Sequence, residues 1–282
     1  MKKGSDQIMF ILMLAVMACM VLHVLSLRGR GNHPGMGALR GWYYAHRGLH
    51  DSERPENSMA AFEAAVEKGY GVELDVHLLK DGTLAVIHDS DLSRTTGQTG
   101  RVEDLTAGEL KNYRLQGTEQ IIPEFGQVLS LFAGRVPLII ELKSAGGNAA
   151  KLTETACRML ESYRGPYCVE SFDPACILWL RKNRPDIIRG QLAENSMKMK
   201  GHYPWIVRLI TSYYMENFLT RPDFIAYRFE DRDTVSNAIC RKLWGIQGVS
   251  WTLRTPEDFQ TAVAEGWIPI FEGFAPKTEE TA

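Results

Sequence analysis

The run Gly71-Val72-Glu73-Leu74-Asp75-Val76 is the segment of this chain that says most about its fold. Its composition is typical of a β-strand, in which successive side chains point to opposite faces. Glu73 and Asp75 therefore share one face, and the valines and the leucine share the other. Two neighbouring carboxylates on an apolar strand repel each other unless a positive charge lies between them. A hard divalent cation with oxygen ligands meets that requirement.

Strand-like and helix-like segments alternate along the chain on both sides of this run, most regularly after residue 123. We predict strands at residues 42–45, 72–76, 84–87, 137–142, 167–170, 186–191, 223–227, 248–253 and 268–271. We predict helices at residues 59–69, 125–132, 148–163, 174–183, 203–219, 234–244 and 256–265, with a weak one at 105–115. Such alternation indicates a sheet of parallel strands with helices on its faces.

The number of units favours an α/β (β/α)₈ TIM barrel, with a doubly wound open sheet as the alternative. About eight strand–helix units are present, and the chain length is close to the ~250 residues typical of such a barrel. Chemically active residues of these barrels lie near the carboxyl ends of the strands. The predicted strands place six polar residues at or near such ends: His46, Glu73, Asp75, His88, Glu141 and Lys143. These positions favour the barrel.

Composition excludes some function classes. The 282 residues are 45% hydrophobic and 23% charged, which is ordinary for a globular protein. The net charge of −2 gives no general attraction to nucleic acid, so no nucleic-acid partner is expected. The five cysteines show no metal-site spacing and no disulfide framework. Phosphate binding, where it occurs, must therefore come from a local site.

The N-terminus carries an apolar run, Ile8–Leu27, between Lys2-Lys3 and the arginines that begin at Arg28. About 20 apolar residues are enough to span a bilayer as a helix. A cleaved signal peptide is the alternative, but its apolar core is shorter and we find no convincing cleavage site. We therefore expect a single-pass membrane anchor. The charges on its two sides are nearly balanced, so the side of the membrane stays open.

The predicted domain organisation has two parts. Residues 1–40 form a transmembrane anchor and a tether, and residues 41–282 form the barrel domain. The tether prediction rests on residues 29–41, which are rich in glycine and arginine and show no periodicity.

Seven short motifs in a fixed order carry a family resemblance. They are His46-Arg47-Gly48, Pro55-Glu56-Asn57-Ser58, Glu73-Leu74-Asp75-Val76, Lys80-Asp81-Gly82, His88-Asp89, Leu92-Ser93-Arg94-Thr95-Thr96 and Glu141-Leu142-Lys143. Together they resemble the glycerophosphodiester phosphodiesterase family, over nearly all of the chain after residue 41. The resemblance implies a metal-dependent barrel hydrolase that cleaves glycerophosphodiesters to sn-glycerol 3-phosphate and an alcohol, in lipid and glycerol metabolism.

The resemblance also implies roles for individual residues. His46 and His88 form the acid–base pair, because histidine titrates in the range that both proton transfers need. Glu73, Asp75 and Glu141 hold one divalent cation, Ca²⁺ or Mg²⁺, since three carboxylates suit these ions better than zinc.

Cations and an aromatic residue complete the expected site. Arg47 and Lys143 are predicted to bind the phosphate, although each is also able to serve only as a salt-bridge partner. On weaker grounds, Trp251 and Glu170 are expected to line the mouth, with Trp251 as a substrate-binding residue. Asn57 is either a helix cap or part of the site. Glu272 stands where many relatives carry Thr-Asp, so the sequence leaves its role in doubt.

Two other functions stay open at this point. The first is a phosphodiesterase that acts on an intact phospholipid. The second is a catalytically inactive domain that binds glycerol phosphates at the membrane. The helix predicted at residues 203–219 is apolar and aromatic on more than one face, so it is a candidate for contact with lipid. The leaving alcohol, the attacking nucleophile and the oligomeric state are not determined by the sequence.

Overall fold

The computed structural model describes residues 2–198 and 204–277, with side chains described from residue 6. Its strands are β1 Tyr44–His46, β2 Gly71–Leu78, β3 Leu84–Val86, β4 Leu138–Leu142, β5 Tyr167–Ser171, β6 Arg189–Ala193, β7 Phe224–Arg228, β8 Gln247–Leu253 and β9 Trp267–Phe271. Its helices are α1 Lys2–Ser26, α2 Met59–Glu67, α3 Ser93–Thr96, α4 Phe125–Phe132, α5 Ala149–Leu160, α6 Pro174–Asn183, α7 Trp205–Ser212, α8 Asn217–Thr220, α9 Val235–Ala238 and α10 Pro256–Ala264.

The sheet closes into a parallel eight-stranded barrel, because β1 pairs with both β2 and β9. The (β/α)₈ prediction is therefore confirmed, and the open sheet is excluded. One predicted strand lies outside the barrel: β3 pairs antiparallel with β2 through the turn that contains Lys80-Asp81-Gly82. Since β2 is long enough to project beyond the barrel, β3 folds back along it and returns His88, two residues after its end, to the mouth.

The inward-facing residues change from apolar to polar toward the carboxyl ends of the strands. On β4, Ile139 faces inward into the apolar core, and two residues later Glu141 faces the same way. On β5, Cys168 and Glu170 repeat this order. Aliphatic burial of the kind seen at the amino end of the strands stabilises by about 1.5–3 kcal/mol per side chain. The amino end therefore holds the barrel together, and the carboxyl end carries the polar groups.

The prediction of a flexible tether at residues 29–41 is wrong. Leu27, Met36 and Leu39 are buried in the apolar core. Arg30 forms an ion pair with the buried carboxylate of Asp223, with nitrogen–oxygen distances of 2.6 and 2.5 Å. Because its apolar residues follow no helical or strand period, the segment reads as a linker, yet it closes the base of the barrel. The domain boundary at residue 40 itself stays a prediction.

Two predicted helices differ from the structure. The weak helix at 105–115 is instead a 3₁₀ turn at Ala107–Asn112, capped by reciprocal hydrogen bonds between Thr106 and Glu109. The single helix at 203–219 is divided into α7 and α8, and its first residue, Tyr203, lies outside the described residues. The other predicted helices are present, with shorter α5 and α9; α9 continues as a π-helical turn at Ile239–Leu243.

Candidate active site

The three acids predicted as cation ligands converge at the carboxyl end of the barrel. Glu73 and Asp75 project inward from β2, and Glu141 projects inward from the neighbouring β4, in register with Asp75. One oxygen from each of the three carboxylates lies within 4.8 Å of the other two, and all three residues are buried. The spacing of two residues on β2 thus produced the shared face that the sequence predicted.

Burial and mutual repulsion disturb the ionisation of these acids. Burial, with the neighbouring charges of Asp75 and Glu141, raises the pKa of Glu73 well above its ordinary value. Burial also raises the pKa of Glu141 to about 7, although Lys143 partly opposes it. The pKa of Asp75 is lowered, because Lys143 and Arg47 outweigh the effect of its burial. Fully ionised, the cluster would therefore carry more buried negative charge than its cationic neighbours offset.

This donor set fits a hard divalent cation. It offers carboxylate oxygens from three side chains and, within that cluster, no sulfur or imidazole ligand. Ca²⁺ and Mg²⁺ prefer such oxygen ligands, whereas zinc prefers nitrogen and sulfur. A bound cation would also relieve the repulsion that raises the pKa of Glu73.

Both predicted phosphate-binding cations lie against the acids. The Lys143 ammonium is 2.7 Å from a Glu141 oxygen and 3.1 Å from Asp75 Oδ1. Arg47 Nε is 3.3 Å from Asp75 Oδ2, and Arg47 Nη1 donates to Glu56 at 2.9 Å. The salt-bridge alternative is therefore realised for both residues. It is compatible with phosphate binding, because an anion entering the site meets the same two charges.

His46 is held by an acid that directly follows the last strand of the barrel. Its Nδ1 hydrogen bonds to Glu272, and Glu272 also accepts from Arg254 Nε at 3.1 Å. Its Nε2 lies 3.8 Å from Glu73, toward the acid cluster. A carboxylate at Nδ1 fixes the tautomer and orientation of an imidazole and directs its other nitrogen toward the reaction. Burial lowers the pKa of His46 to about 4, against the opposing effect of Glu272.

His88 has the same arrangement on the other side of the cluster. Its Nδ1 lies 2.6 Å from Asp89 Oδ1, and Asp89 also accepts from Arg94. Arg94 in turn donates to both oxygens of Glu56 at 2.7 and 2.8 Å. Burial lowers the pKa of His88, while Asp75 opposes that shift. Each imidazole is therefore fixed at Nδ1 by its own carboxylate.

The residues that orient the two histidines had no role predicted from the sequence. Glu56, Asp89 and Arg94 stand in motifs that carried the resemblance, and the structure joins them into one chain from His88 to Arg47. Glu272 was left in doubt because its motif departs from the expected one. Neither connection follows from local spacing, since Arg94 lies 38 residues from Glu56 and Glu272 lies 226 residues from His46.

Asn57 is not the helix cap. Ser58 caps α2 by accepting a hydrogen bond from Ala61 N, whereas Asn57 Nδ2 donates to Asp75 Oδ2 at 2.8 Å. Asn57 has a positive φ of 57°, a conformation that asparagine tolerates better than most residues. This conformation directs its amide toward the acid cluster, so Asn57 positions Asp75.

Two cavities meet at the cluster. The inner one has a volume of about 40 Å³ and is lined by both histidines and by Glu170 and Trp251, the two residues expected at the mouth. The outer one has a volume of about 790 Å³ and shares His88, Glu141 and Lys143 with it. Phe172 contributes to both and packs edge-on against Trp251, with 5.7 Å between the ring centroids.

Four further histidines differ in their surroundings. His77 is buried and bonds to Glu103 and to the carbonyl of His88, so it supports the hairpin end. His33 accepts from Gly35 N at the base of the barrel, far along the axis from the acids. His50 Nε2 lies 3.9 Å from Glu272, near the site. His202 lies outside the described residues.

Comparisons with known proteins agree with this geometry. The family described as the glycerophosphoryl diester phosphodiesterase family matches residues 46–272. The chain is 38% identical to a glycerophosphodiester phosphodiesterase of Bacillus altitudinis over 156 residues, 51% of this chain and 63% of that protein. It is 30% identical to human glycerophosphodiester phosphodiesterase 1 over 270 residues, 85% of this chain and 77% of the human one. The chain thus spans a little under two thirds of the Bacillus relative.

Solved structures show the same fold. A phosphodiesterase of Oleispira antarctica, in complex with the product sn-glycerol-3-phosphate, superposes with a TM-score of 0.68 at 22% identity, covering 82% of this chain and 92% of that one. A glycerophosphodiester phosphodiesterase of Parabacteroides distasonis superposes with a TM-score of 0.66 at 23% identity, covering 85% and 94%. Both likenesses support the barrel architecture.

Proposed function

We propose that this chain, which belongs to the glycerophosphoryl diester phosphodiesterase family, hydrolyses glycerophosphodiesters to sn-glycerol 3-phosphate and an alcohol. The observation that carries the proposal is the convergence of three acids and two carboxylate-bound imidazoles on one small cavity. Such products connect the enzyme to lipid and glycerol metabolism.

The histidines supply the proton transfers. During hydrolysis an oxygen of water, or of the glycerol hydroxyl, forms a new bond to phosphorus, and the bond to the leaving alcohol breaks. Where the glycerol hydroxyl attacks, the product is a cyclic phosphate, and water then attacks phosphorus and breaks one ring P–O bond to give glycerol 3-phosphate. One imidazole accepts the proton of the attacking oxygen, and the other donates a proton to the leaving oxygen. Glu272 and Asp89 hold His46 and His88 at Nδ1, so each Nε2 is available for its transfer.

The acids and cations hold the phosphate in place. Glu73, Asp75 and Glu141 would bind Ca²⁺ or Mg²⁺, which neutralises phosphate charge when bound. Arg47 offers two donors to the phosphate oxygens, and Lys143 offers a point charge. Trp251 contributes an apolar wall of the inner cavity beside them.

One observation favours a second candidate, a phosphodiesterase that acts on an intact phospholipid. The outer cavity is much larger than the inner one, and Phe172, Pro174 and Val207 give it an apolar side. Turnover of glycerophosphocholine and of phosphatidylcholine in mixed micelles should be compared. A higher rate with the soluble diester supports the first proposal, and activity only on the phospholipid supports the second.

The activity is tested by an enzyme-coupled assay of glycerol 3-phosphate release from glycerophosphocholine. We expect release by the wild type, loss in EDTA and recovery with added Ca²⁺ or Mg²⁺. His33→Ala is the matched control for His46→Ala, because His33 lies at the base of the barrel. Binding of glycerol 3-phosphate without any turnover, unaffected by His46→Ala, would support a non-catalytic binding domain instead.

We also propose that α1 stays attached as a single-pass membrane anchor. Residues Asp6–Ser26 of α1 are long and apolar enough to cross a bilayer. Leu27, directly after α1, is buried in the barrel core, and Arg30 pairs with Asp223. A cleavage after Leu27 would remove it from that core, and a cleavage after Arg30 would also remove the ion pair. The test is the intact mass of the purified protein, together with resistance of its membrane association to alkaline carbonate.

A further inference from the structure

Helix α1 lies along the outside of the barrel in a defined direction. His23 Nε2 is 3.5 Å from Ser236 Oγ of α9, and four residues later the Leu27 carbonyl accepts from Cys240 Sγ at 3.6 Å. After the helix ends, Arg30 N donates to the Pro222 carbonyl at 2.8 Å. From the first contact to the second, the position advances by four residues in α1 and by four residues in the helix that it contacts. Helix α1 therefore runs beside α9 and its π-helical continuation, in the same direction.

This direction determines which end of the barrel α1 leaves from. Pro222 precedes β7 and so marks the base, whereas α9 begins after the carboxyl end of β7 and so marks the catalytic end. Traced backward from His23, α1 therefore projects beyond the catalytic end. Residues 4–22 rise by about 28 Å at 1.5 Å per residue, close to the ~30 Å of a bilayer core. The described side chains of this part, from residue 6, are exposed.

Exposed apolar side chains lie at the start of α9, beside α1, and at the start of α7. Val235, the first residue of α9, is 74% exposed, and Trp205 and Ile206, at the start of α7, are 66% and 45% exposed. Both helix starts follow the carboxyl ends of neighbouring strands, β7 and β6, so they lie on the catalytic side of the barrel. Asn217 of α8, in the same unit as α7, donates to the Leu27 carbonyl at 3.4 Å. Hence α1 runs between the two units that carry these residues.

We infer that the catalytic face of the barrel lies against the surface of the bilayer that α1 crosses. Trp205, Ile206 and Val235 contact the lipid interface, where aromatic and aliphatic side chains are stabilised. Val207, next to Ile206, lines the outer cavity, so the cavity opens at this interface. Diesters still carrying a lipid chain therefore reach the site from the membrane surface. The inference rests on the proposed membrane anchor. The lipid contact predicted for α7 would be confirmed by the experiment that follows.

The test uses the full chain in phosphatidylcholine vesicles, with a Cys19→Ser background because the other four cysteines are buried. A polarity-sensitive fluorophore is attached at Ile206→Cys or Val235→Cys, and nitroxide-labelled lipids serve as quenchers. Lys182→Cys is the matched control, since Lys182 lies at the exposed carboxyl end of α6, near the base. We expect at least a twofold loss of emission at positions 206 and 235, and little loss at 182.

The outcomes separate this inference from the proposals on which it rests. Vesicle association with no quenching at 206 and 235, or with quenching only at 182, would overturn the inference and leave the anchor intact. Failure of the full chain to float with the vesicles would overturn both. Hydrolysis of soluble glycerophosphocholine, measured on the same samples, reports on the proposed activity independently of either result.

Discussion

The two ends of the barrel differ in how far their buried charges are balanced. At the base, Asp223 accepts from the Arg30 guanidinium and from the backbone nitrogen of Arg189, so its charge is matched. At the mouth, Glu73, Asp75 and Glu141 crowd together and repel one another. Only a few residues of each strand separate the two arrangements. The base is built for stability, and the mouth keeps a charge imbalance that a bound cation and an anionic substrate offset.

The largest expected effect is at the mouth. His46→Ala or His88→Ala should lower turnover of glycerophosphocholine by about 10²–10⁴-fold, because each removes one proton transfer. The melting temperature should change little, since neither side chain belongs to the apolar core. His33→Ala serves as the matched control at the base. Equal losses of turnover in all three variants would contradict the difference between the two ends.

The base should respond in the opposite way. Asp223→Ala leaves Arg30 unpaired, and breaking a buried ion pair costs about 3–5 kcal/mol of unfolding free energy. Urea unfolding measures this loss, and turnover of the folded variant at low temperature should stay near that of the wild type. Asp186→Ala is the control, because its ion pair with Arg184 is exposed and worth about 0–1 kcal/mol. A stable but inactive Asp223→Ala variant would contradict the assignment.

A smaller effect is expected from the residue that orients His46. Glu272→Gln keeps the shape of the side chain but removes the charge beside Nδ1, and loss of such partners typically costs about 10–100-fold. We expect a fall of this size in kcat, with partial recovery in Glu272→Asp. Unchanged kcat in Glu272→Gln would show that the hydrogen bond is only structural.

The last prediction concerns a buried acid on the base side. Burial raises the pKa of Glu216 to about 8, and neither of its carboxylate oxygens has a hydrogen-bond partner among the described residues. A carboxyl whose folded pKa exceeds its unfolded one costs stability as pH rises from about 4.5 to 8. At about 1.4 kcal/mol per pKa unit this cost reaches at most about 5 kcal/mol, so Glu216→Gln should be clearly more stable than the wild type at pH 9, and much less so at pH 5. Urea unfolding at both pH values checks this, and a pH-independent difference would contradict it.

Local patterns predicted much of the molecule. The two-residue spacing of Glu73 and Asp75 predicted a shared face, and helical periodicity located α2, α4 and α6 nearly to the residue. The residue types and motif order predicted which acids and histidines would meet. These features depend on neighbours in sequence, where the physical rules are strongest.

Other features depend on partners that are distant in sequence. The pairing of Glu272 with His46 exists only because β1 and β9 are neighbours in the closed barrel. Residues 27–39 lack a regular period, so their burial at the base was not visible before the fold was known. Strand β3 has the composition of a barrel strand, and only its antiparallel pairing with β2 shows that it lies outside the barrel.

The most direct test of the account is calorimetric titration of Mg²⁺ and Ca²⁺ into the EDTA-treated, dialysed full chain. We expect one divalent cation per chain, and binding weakened at least tenfold in Glu73→Gln and Glu141→Gln but unchanged in the base variant Asp186→Ala. Binding of equal strength in all four proteins, or no binding by the wild type, would contradict the claim that these acids form a cation site.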